Sequence, residues 1–254
     1  MGTLHRRRIA LIAGCSHAAG HEIDGSFDSS YNRDHSYGNQ LAKRMNRQPV
    51  NIACGGLSNT GITRNVTEWI HQNYDPDTVD LFVIVGWTES LRMEVPSPFV
   101  VDYWSGNPDA DWIPNFAGNY LQVNIGWQGG NSEEAEVLRN GVHDFQARNG
   151  NYLEQVTVNT VLQLQYLLKH LNINYVMSNT MHQFTVNPYL APMLKLLDRQ
   201  HYMCATDNTQ SFYQYYVNQG YTNELARYWH LGSDAHSAYC DRLWDFCVLS
   251  GIHE

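Results

Sequence analysis

Two short segments at opposite ends of the chain carry residue types that can perform nucleophilic catalysis. Ser16 follows an apolar run and Gly14, and a serine placed just after a buried strand can hold its hydroxyl group out at the edge of the sheet. Near the other end, Asp234 stands two residues before His236, in a segment that we expect to be a loop. A serine nucleophile needs a base, and the base needs an acid to orient it. These three residues are therefore candidates for one catalytic site.

Each segment also has a plainer interpretation. The Gly-x-Ser tripeptide is common, and Ser16 is then only a polar loop residue. The segment around His236 can equally be a surface loop with an incidental histidine. His230, Asp234 and His236 could form half of a metal site, but no second cluster in the sequence has ligand spacing. The sequence also lacks a glycine-rich phosphate loop, so we expect neither a metal ion nor another cofactor.

Alternating strand and helix patterns surround these residues. Four short apolar runs, each followed by small or polar residues, are typical of parallel strands that are buried on both faces. Helical spacing lies between the runs, and the alternation predicts a doubly wound α/β domain whose strand ends open onto a site. The predicted strands are 9–13, 50–53, 80–85 and 174–177, and the predicted helices are 37–45, 60–74, 153–171 and 241–249.

Residues 92–130 fit neither pattern. This segment contains several prolines and glycines and three tryptophans, and loops of that length are uncommon unless they are functional. We predict one domain over residues 1–254, with 92–130 as an insertion that borders the site. The aromatic side chains of the insertion are suited to stacking on sugar rings, or to forming a small satellite core. The tryptophans are Trp104, Trp112 and Trp127.

Taken in order, these motifs resemble those of the SGNH/GDSL hydrolase family. That family has a Gly-Asp-Ser block after its first strand, a glycine after the second and a Gly-x-Asn block after the third. Its last block places Asp and His shortly before the C-terminal helix. The resemblance covers about residues 8–90 and 174–250, and it leaves the middle of the chain uncovered. The matching positions here are Gly14-Cys15-Ser16, Gly56 within 51–59, Gly86-Trp87-Thr88, and Asp234 with His236.

The resemblance implies a flavodoxin-like three-layer α/β/α fold with a central parallel sheet, and hydrolysis of an ester. It assigns attack to Ser16, proton transfer to His236 and orientation of the imidazole to Asp234. The backbone N–H groups of Ser16 and Gly56 would stabilise the oxyanion. A side-chain donor would come from the hydroxyl group of Thr88, or from Asn59 in its place.

Three positions depart from the family pattern, and two of them, Thr88 and the Asp–His spacing, support a second hypothesis. Ser233 stands three residues before the histidine, where the family usually has Asp, and Thr88 replaces the asparagine of the third block. Cys15 replaces the acid of the first block. The second hypothesis is an inactive protein of the same fold that serves as a binding or structural component. The general character of the sequence also resembles that of SGNH-type proteins from bacteriophage genomes. A phage origin would allow self-association or assembly into a virion.

Composition and charge exclude other classes of partner. The 254 residues include 16 Lys+Arg and 25 Asp+Glu, for a net charge of −9. Nucleic-acid binding requires clustered Lys and Arg, and the only basic cluster is at residues 6–8. No run approaches the roughly 20 apolar residues of a membrane helix, and the first apolar run is too short for a secretory signal. We expect a cytoplasmic protein, or a virion-associated one if phage-encoded, that acts on a neutral ester such as an acylated carbohydrate.

Overall fold

The computed structural model describes residues 6–96, 120–124, 133–149, 151–181, 184 and 188–253. Six strands lie in these ranges, and they belong to two separate sheets. The strands are β1 (Arg7–Gly14), β2 (Gln48–Asn51), β3 (Val79–Trp87), β4 (Arg92–Pro96), β5 (Tyr120–Asn124) and β6 (Asn174–Asn179).

The larger sheet consists of four parallel strands in the order β2-β1-β3-β6. Leu11 in β1 lies opposite Val50 in β2 and Val83 in β3, and Val83 in turn lies opposite Tyr175 in β6. The chain passes from β1 outward to β2 and then back across β1 to β3. In sheets of this kind, ligands bind at the carboxyl ends of the strands where the order reverses, which here is between β1 and β3.

Helices cover both faces of the larger sheet. None of the helices in the described ranges combines the length and the apolar character that crossing a bilayer requires. The helices are α1 (Ser16–Ala19), α2 (Ser30–His35), α3 (Tyr37–Arg44), α4 (Asn59–Asn73), α5 (Glu133–Asn149), α6 (Tyr152–His170), α7 (Ala191–Leu194), α8 (Phe212–Asn218) and α9 (Ser233–Leu249), with a short 3-10 helix at Asn208–Gln210.

Successive residues of β1 point to opposite faces of the sheet and into two separate cores. Leu11 belongs to a core that includes residues of α4 and α6, whereas Ile12 belongs to a core that includes residues of α3 and α9. Each fully buried aliphatic side chain contributes about 1.5–3 kcal/mol. The two cores hold helices on both faces of a parallel sheet, which confirms the three-layer α/β/α fold.

The structure differs from the sequence prediction at the second strand. β2 spans Gln48–Asn51, whereas the apolar pattern predicts 50–53. The side-chain oxygen of Asn51 accepts a hydrogen bond from the backbone N–H of Ala53 at 3.1 Å. The N–H groups of Ile52 and Cys54 still donate to the carbonyl oxygens of Ile12 and Gly14 at 2.8 and 3.1 Å, so bonding to β1 continues through the predicted segment although the regular strand ends at Asn51.

The last helix also differs from its prediction. Helical spacing predicts 241–249, and α9 begins at Ser233 instead. Its first turn is closed by hydrogen bonds from the N–H groups of Ala235 and His236 to the carbonyl oxygen of Gly232. The segment that the sequence assigned to a loop is therefore helical, with consequences for the catalytic site.

The two ends of the predicted insertion form the smaller sheet. β4 and β5 pair in antiparallel orientation, with Met93 opposite Val123. This pair is fixed to α4 because the guanidinium group of Arg64 lies 3.1 Å from both carboxylate oxygens of Glu94. The rest of the insertion, with Trp104, Trp112 and Trp127, lies outside the described residues. The single domain over 1–254 stays a prediction.

Candidate active site

Ser16 lies at the carboxyl end of β1, directly after the turn at Gly14 and Cys15. A Cβ added at Gly14 would lie 2.5 Å from the Cβ of Ala18 and 2.7 Å from the carbonyl oxygen of Gly86. Only glycine therefore lets β1 pass this close to α1 and β3. Ser16 is the first residue of α1 and is 8% exposed. Its hydroxyl group makes no hydrogen bond to any residue in the described ranges.

The cysteines beside Ser16 are packing residues. The buried thiol of Cys15 lies 3.4 Å from the hydroxyl oxygen of Thr180, which donates to the carbonyl oxygen of Trp87 at 2.7 Å. Cys54 is also buried, and burial raises the pKa of its thiol to about 12. A thiol with such a pKa stays protonated near neutral pH and is not nucleophilic.

Gly56 and Asn59 lie after β2, and Thr88 lies after β3, as the block order predicts. Gly56 is exposed and has a φ of +72°, a backbone conformation that favours glycine. The side-chain oxygen of Asn59 accepts from the N–H of Thr88 at 2.9 Å, and its side-chain nitrogen donates to the carbonyl oxygen of Thr88 at 3.0 Å. The structure thus brings these two residues together, with the Asn59 amide bonded to the backbone after β3. The oxyanion roles of all three residues stay predictions.

Asp234 and His236 point to different sides of α9. Residues two apart on a helix do not face each other, and here Asp234 is exposed whereas His236 is 1% exposed. The expected contact between carboxylate and imidazole depended on a loop at this position. Because the segment is the first turn of a helix, the structure does not bring the two side chains together, and the roles of Asp234 and His236 stay predictions.

The imidazole of His236 is held in the core of the protein. Its Nδ1 accepts a hydrogen bond from the backbone N–H of Tyr37 at 3.2 Å, and its ring contacts the rings of Tyr37 and Phe212. Burial, with a smaller contribution from His230, lowers the pKa of His236 to about 3. A neutral imidazole whose Nδ1 accepts carries its proton on Nε2, so neither nitrogen of His236 is free to take a proton from a serine.

A different histidine meets a carboxylate beside His17, the residue that follows Ser16. Nδ1 of His230 lies 2.6 Å from Oε2 of Glu22, and the two side chains are 10% and 2% exposed. A carboxylate only accepts hydrogen bonds, so Nδ1 of His230 is the donor. The neutral imidazole then has its lone pair on Nε2, which is the arrangement that a general base requires. The ring of His230 lies 5.0 Å from the ring of His17, the neighbour of Ser16.

Two further histidines complete a cluster around His230. The ring of His21 lies 5.8 Å from that of His230, and its Nε2 lies 3.1 Å from the Asp28 carboxylate. Asp28 is in turn paired with Arg33 at 3.0 Å. His17 is buried, and burial followed by nearby positive groups lowers its pKa. The histidine cluster therefore joins the loop after β1 to the segment before α9.

The sequence contained a signal for His230 but none for Glu22. The sequence presents His230 only as part of a half metal site, although it lies shortly before the last helix, where the family carries its histidine. Glu22 belongs to a polar loop with no helical or strand spacing, and it is separated from His230 by 208 residues. Among the described residues, no group of three or more His, Cys, Asp or Glu side chains is arranged to hold a metal ion.

Comparison of the chain with models of protein families finds no match, and comparison with curated proteins finds none either. Solved structures give weak likenesses. An acetyl xylan esterase from the rumen bacterium Butyrivibrio proteoclasticus is 15% identical with a TM-score of 0.42, covering 96% of this chain and 64% of that one. A family two carbohydrate esterase from Cellvibrio japonicus is 14% identical with a TM-score of 0.44, covering 95% and 62%.

A psychrotrophic esterase from Pseudoalteromonas sp. is 8% identical with a TM-score of 0.44, covering 95% of this chain and 97% of that one. The chain thus spans less than two thirds of the length of the first two proteins.

Proposed function

We propose that the protein is a serine hydrolase that cleaves an ester, with Ser16 as nucleophile and His230 as general base. The observation that carries the proposal is the hydrogen bond from Nδ1 of His230 to a buried carboxylate, which leaves Nε2 as the proton acceptor. The ring of His230 packs against the residue next to Ser16. The sequence assigned the base to His236 and its acid to Asp234, and that pair remains the competing assignment.

The proposed reaction has two steps. In the first, Ser16 Oγ attacks the carbonyl carbon while Nε2 of His230 takes the hydroxyl proton, and the protonated histidine then gives that proton to the departing alcohol. In the second, water attacks the acyl-enzyme, again losing its proton to His230, which returns it to Ser16 as the carboxylic acid leaves. The net change is one ester and one water converted to one acid and one alcohol.

Backbone N–H groups at two strand ends are the proposed donors to the oxyanion. Ser16 is the first residue of α1, so its N–H has no partner within the helix. Gly56 adds a second N–H from the turn after β2, and its φ of +72° suits a glycine. Loss of one such donor typically costs about 3–4 kcal/mol of transition-state stabilisation. The hydroxyl group of Thr88, or Asn59 in its place, is the proposed side-chain contributor.

We propose an acylated carbohydrate as the substrate because exposed aromatic residues lie beside the histidine cluster or next to His230 in sequence. Phe27, Tyr228 and Trp229 are 43%, 48% and 62% exposed. The ring of Phe27 lies 4.5 Å from that of His21 and 6.5 Å from that of Tyr228. We call these three residues the aromatic rim. Flat apolar faces with few charges suit the ring of a neutral sugar better than they suit a charged group.

Replacing Trp229 with alanine is expected to weaken binding of a ring-bearing substrate. KM for an acetylated oligosaccharide should rise about 3- to 10-fold, because an aromatic contact contributes about 0.5–1.5 kcal/mol beyond its buried area. KM for ethyl acetate, which has no ring, should stay the same. The matched control is Tyr166→Ala, since Tyr166 is 52% exposed but lies on α6. Equal effects of Trp229→Ala on the KM of both substrates would contradict a role of the aromatic rim in substrate binding.

The direct test of the proposal is hydrolysis of p-nitrophenyl acetate by the purified protein. We expect release of p-nitrophenol well above the rate given by the same protein after heat inactivation. A protein that is folded by circular dichroism but gives no turnover of this ester or of an acetylated sugar would contradict the proposal. That result would favour the second hypothesis, a binding or structural component of the same fold.

A further inference from the structure

We propose that Glu22, from the loop that follows the nucleophile, is the acid that orients the base, and that it also holds the segment carrying part of the aromatic rim. The inference rests on the proposed function, since it names the group that positions His230. It departs from the family resemblance, which places the acid in the last block, three residues before the histidine. In this chain Arg227 stands three residues before His230, and it is exposed.

The Glu22 carboxylate makes three hydrogen bonds to one short segment. Its Oε2 accepts from Nδ1 of His230 at 2.6 Å and from the N–H of Tyr228 at 3.1 Å. Its Oε1 accepts from the N–H of Arg227 at 3.0 Å. One carboxylate therefore fixes both the imidazole and the backbone on which Tyr228 and Trp229 are carried.

The backbone conformation of Glu22 is one that the surrounding structure must enforce. Glu22 has a φ of +63°, a left-handed conformation that residues with a side chain seldom adopt. Its carbonyl oxygen accepts from Gly25 N–H and from the side-chain nitrogen of Asn223, at 3.0 and 2.9 Å. Non-glycine residues in this conformation persist where the rest of the structure enforces it, and they concentrate at functional sites.

The charges around His230 give Glu22 a distinct electrostatic effect. Burial lowers the pKa of His230, and the nearby His21 and Arg92 lower it further. His17 and His236 also lie close enough to interact with it. Glu22 is the group that acts in the opposite direction, because its hydrogen bond and its charge both favour the imidazolium. Removal of this carboxylate must therefore lower the pKa of His230.

The first test is the hydrogen bond itself, measured by proton NMR. The short bond between Nδ1 of His230 and the carboxylate should give a downfield proton signal that couples to an imidazole nitrogen. The signal should be present in the native protein and in Ser16→Ala, and absent in His230→Gln and in Glu22→Ala, which leaves Nδ1 no acceptor at this position. A signal that persists in Glu22→Ala would overturn the inference. This measurement needs no activity, so it separates failure of the pairing from failure of the proposed function.

The second test is the pH dependence of kcat/KM for p-nitrophenyl acetate. The base must be neutral, so activity rises with pH through the pKa of His230. In Glu22→Gln the acidic limb should move to lower pH and the plateau should fall about 10²- to 10⁴-fold. A plateau that falls with no movement of the limb would mean that Glu22 acts only on the fold, and would contradict the inference.

A matched control separates orientation from structural support. Asn223→Ala removes a hydrogen bond to the backbone of Glu22 but leaves the carboxylate and the imidazole in place, so the acidic limb of its pH profile should not move.

Glu22→Gln keeps an oxygen that can accept from the N–H of Tyr228, whereas Glu22→Ala keeps none. Only Glu22→Ala should also raise KM for an acetylated oligosaccharide. Equal KM values in Glu22→Gln and Glu22→Ala would refute the link between Glu22 and the rim.

Discussion

Replacement of Ser16 with alanine is expected to lower kcat/KM for p-nitrophenyl acetate by about 10⁴- to 10⁶-fold. The reason is chemical, because no other group at the end of β1 can form the acyl-enzyme: the neighbouring thiol of Cys15 is buried against Thr180. Stability should change little, since the Ser16 hydroxyl makes no hydrogen bond within the described residues. Initial rates and thermal unfolding, measured on the same preparations, check both expectations.

The control for this variant is Ser237→Ala, which removes an exposed hydroxyl from α9. It should leave kcat/KM unchanged within about twofold, as most exposed substitutions change stability by less than about 0.5 kcal/mol. Retention of native kcat/KM in Ser16→Ala would mean that the hydrolysis, if observed, belongs to another group.

Substitution by glutamine is expected to lower kcat/KM strongly at His230 and only slightly at His236. In His230→Gln, kcat/KM should fall about 10³- to 10⁵-fold, because the amide cannot take the proton of Ser16. In His236→Gln it should stay within about tenfold of the native value. Glutamine can keep the structural bond at each position, as a donor to Glu22 in the first case and as an acceptor from Tyr37 N–H in the second.

This pair of variants decides between the two assignments of the base. The assignment based on the family pattern, with His236 and Asp234, expects the larger loss in His236→Gln and a further loss in Asp234→Asn. Our assignment expects Asp234→Asn to be nearly silent, because Asp234 is exposed and faces away from His236. Thermal unfolding of all three variants shows whether a loss of rate is a loss of folded protein.

The sequence predicted the framework of the fold well because its strands are short and almost wholly apolar. Runs such as 9–13 and 81–85 are buried on both faces, and this burial is what a parallel sheet between two helix layers imposes. Ser58 precedes the helix that follows β2, and its side chain caps that helix by accepting from Gly61 N–H at 3.2 Å. Each of these features depends only on neighbours in sequence.

The elements that were mispredicted depend on contacts between distant parts of the chain. The first turns of α9 bury Ala235 and Tyr239 in the core beside α3 and α8, and no local spacing marks the start of that helix at Ser233. The strand β2 stops at Asn51, whose side-chain nitrogen donates to the carbonyl oxygen of Ala18 at 3.3 Å and to the side-chain oxygen of Asn39 at 2.9 Å. Periodicity reports which residues are buried, but it does not report such side-chain bonds.

Glu22 could not have been identified from the sequence. Its partner is 208 residues away, and its loop has the composition of an ordinary solvated turn. The left-handed backbone at this glutamate has no local sequence signal, because glycine or asparagine is the usual residue there. Polar residues that serve a site through a long-range contact are visible only once the fold is known.

The most direct test of the account is the site of covalent labelling by a fluorophosphonate probe, read by peptide mass spectrometry. Such probes phosphonylate serines that are activated by a neighbouring base, as we propose for Ser16. We expect one label for each chain, on the peptide that contains Ser16, with labelling lost in Ser16→Ala and strongly slowed in His230→Gln. Labelling of a different residue, or no labelling of a folded protein, would contradict the central claim.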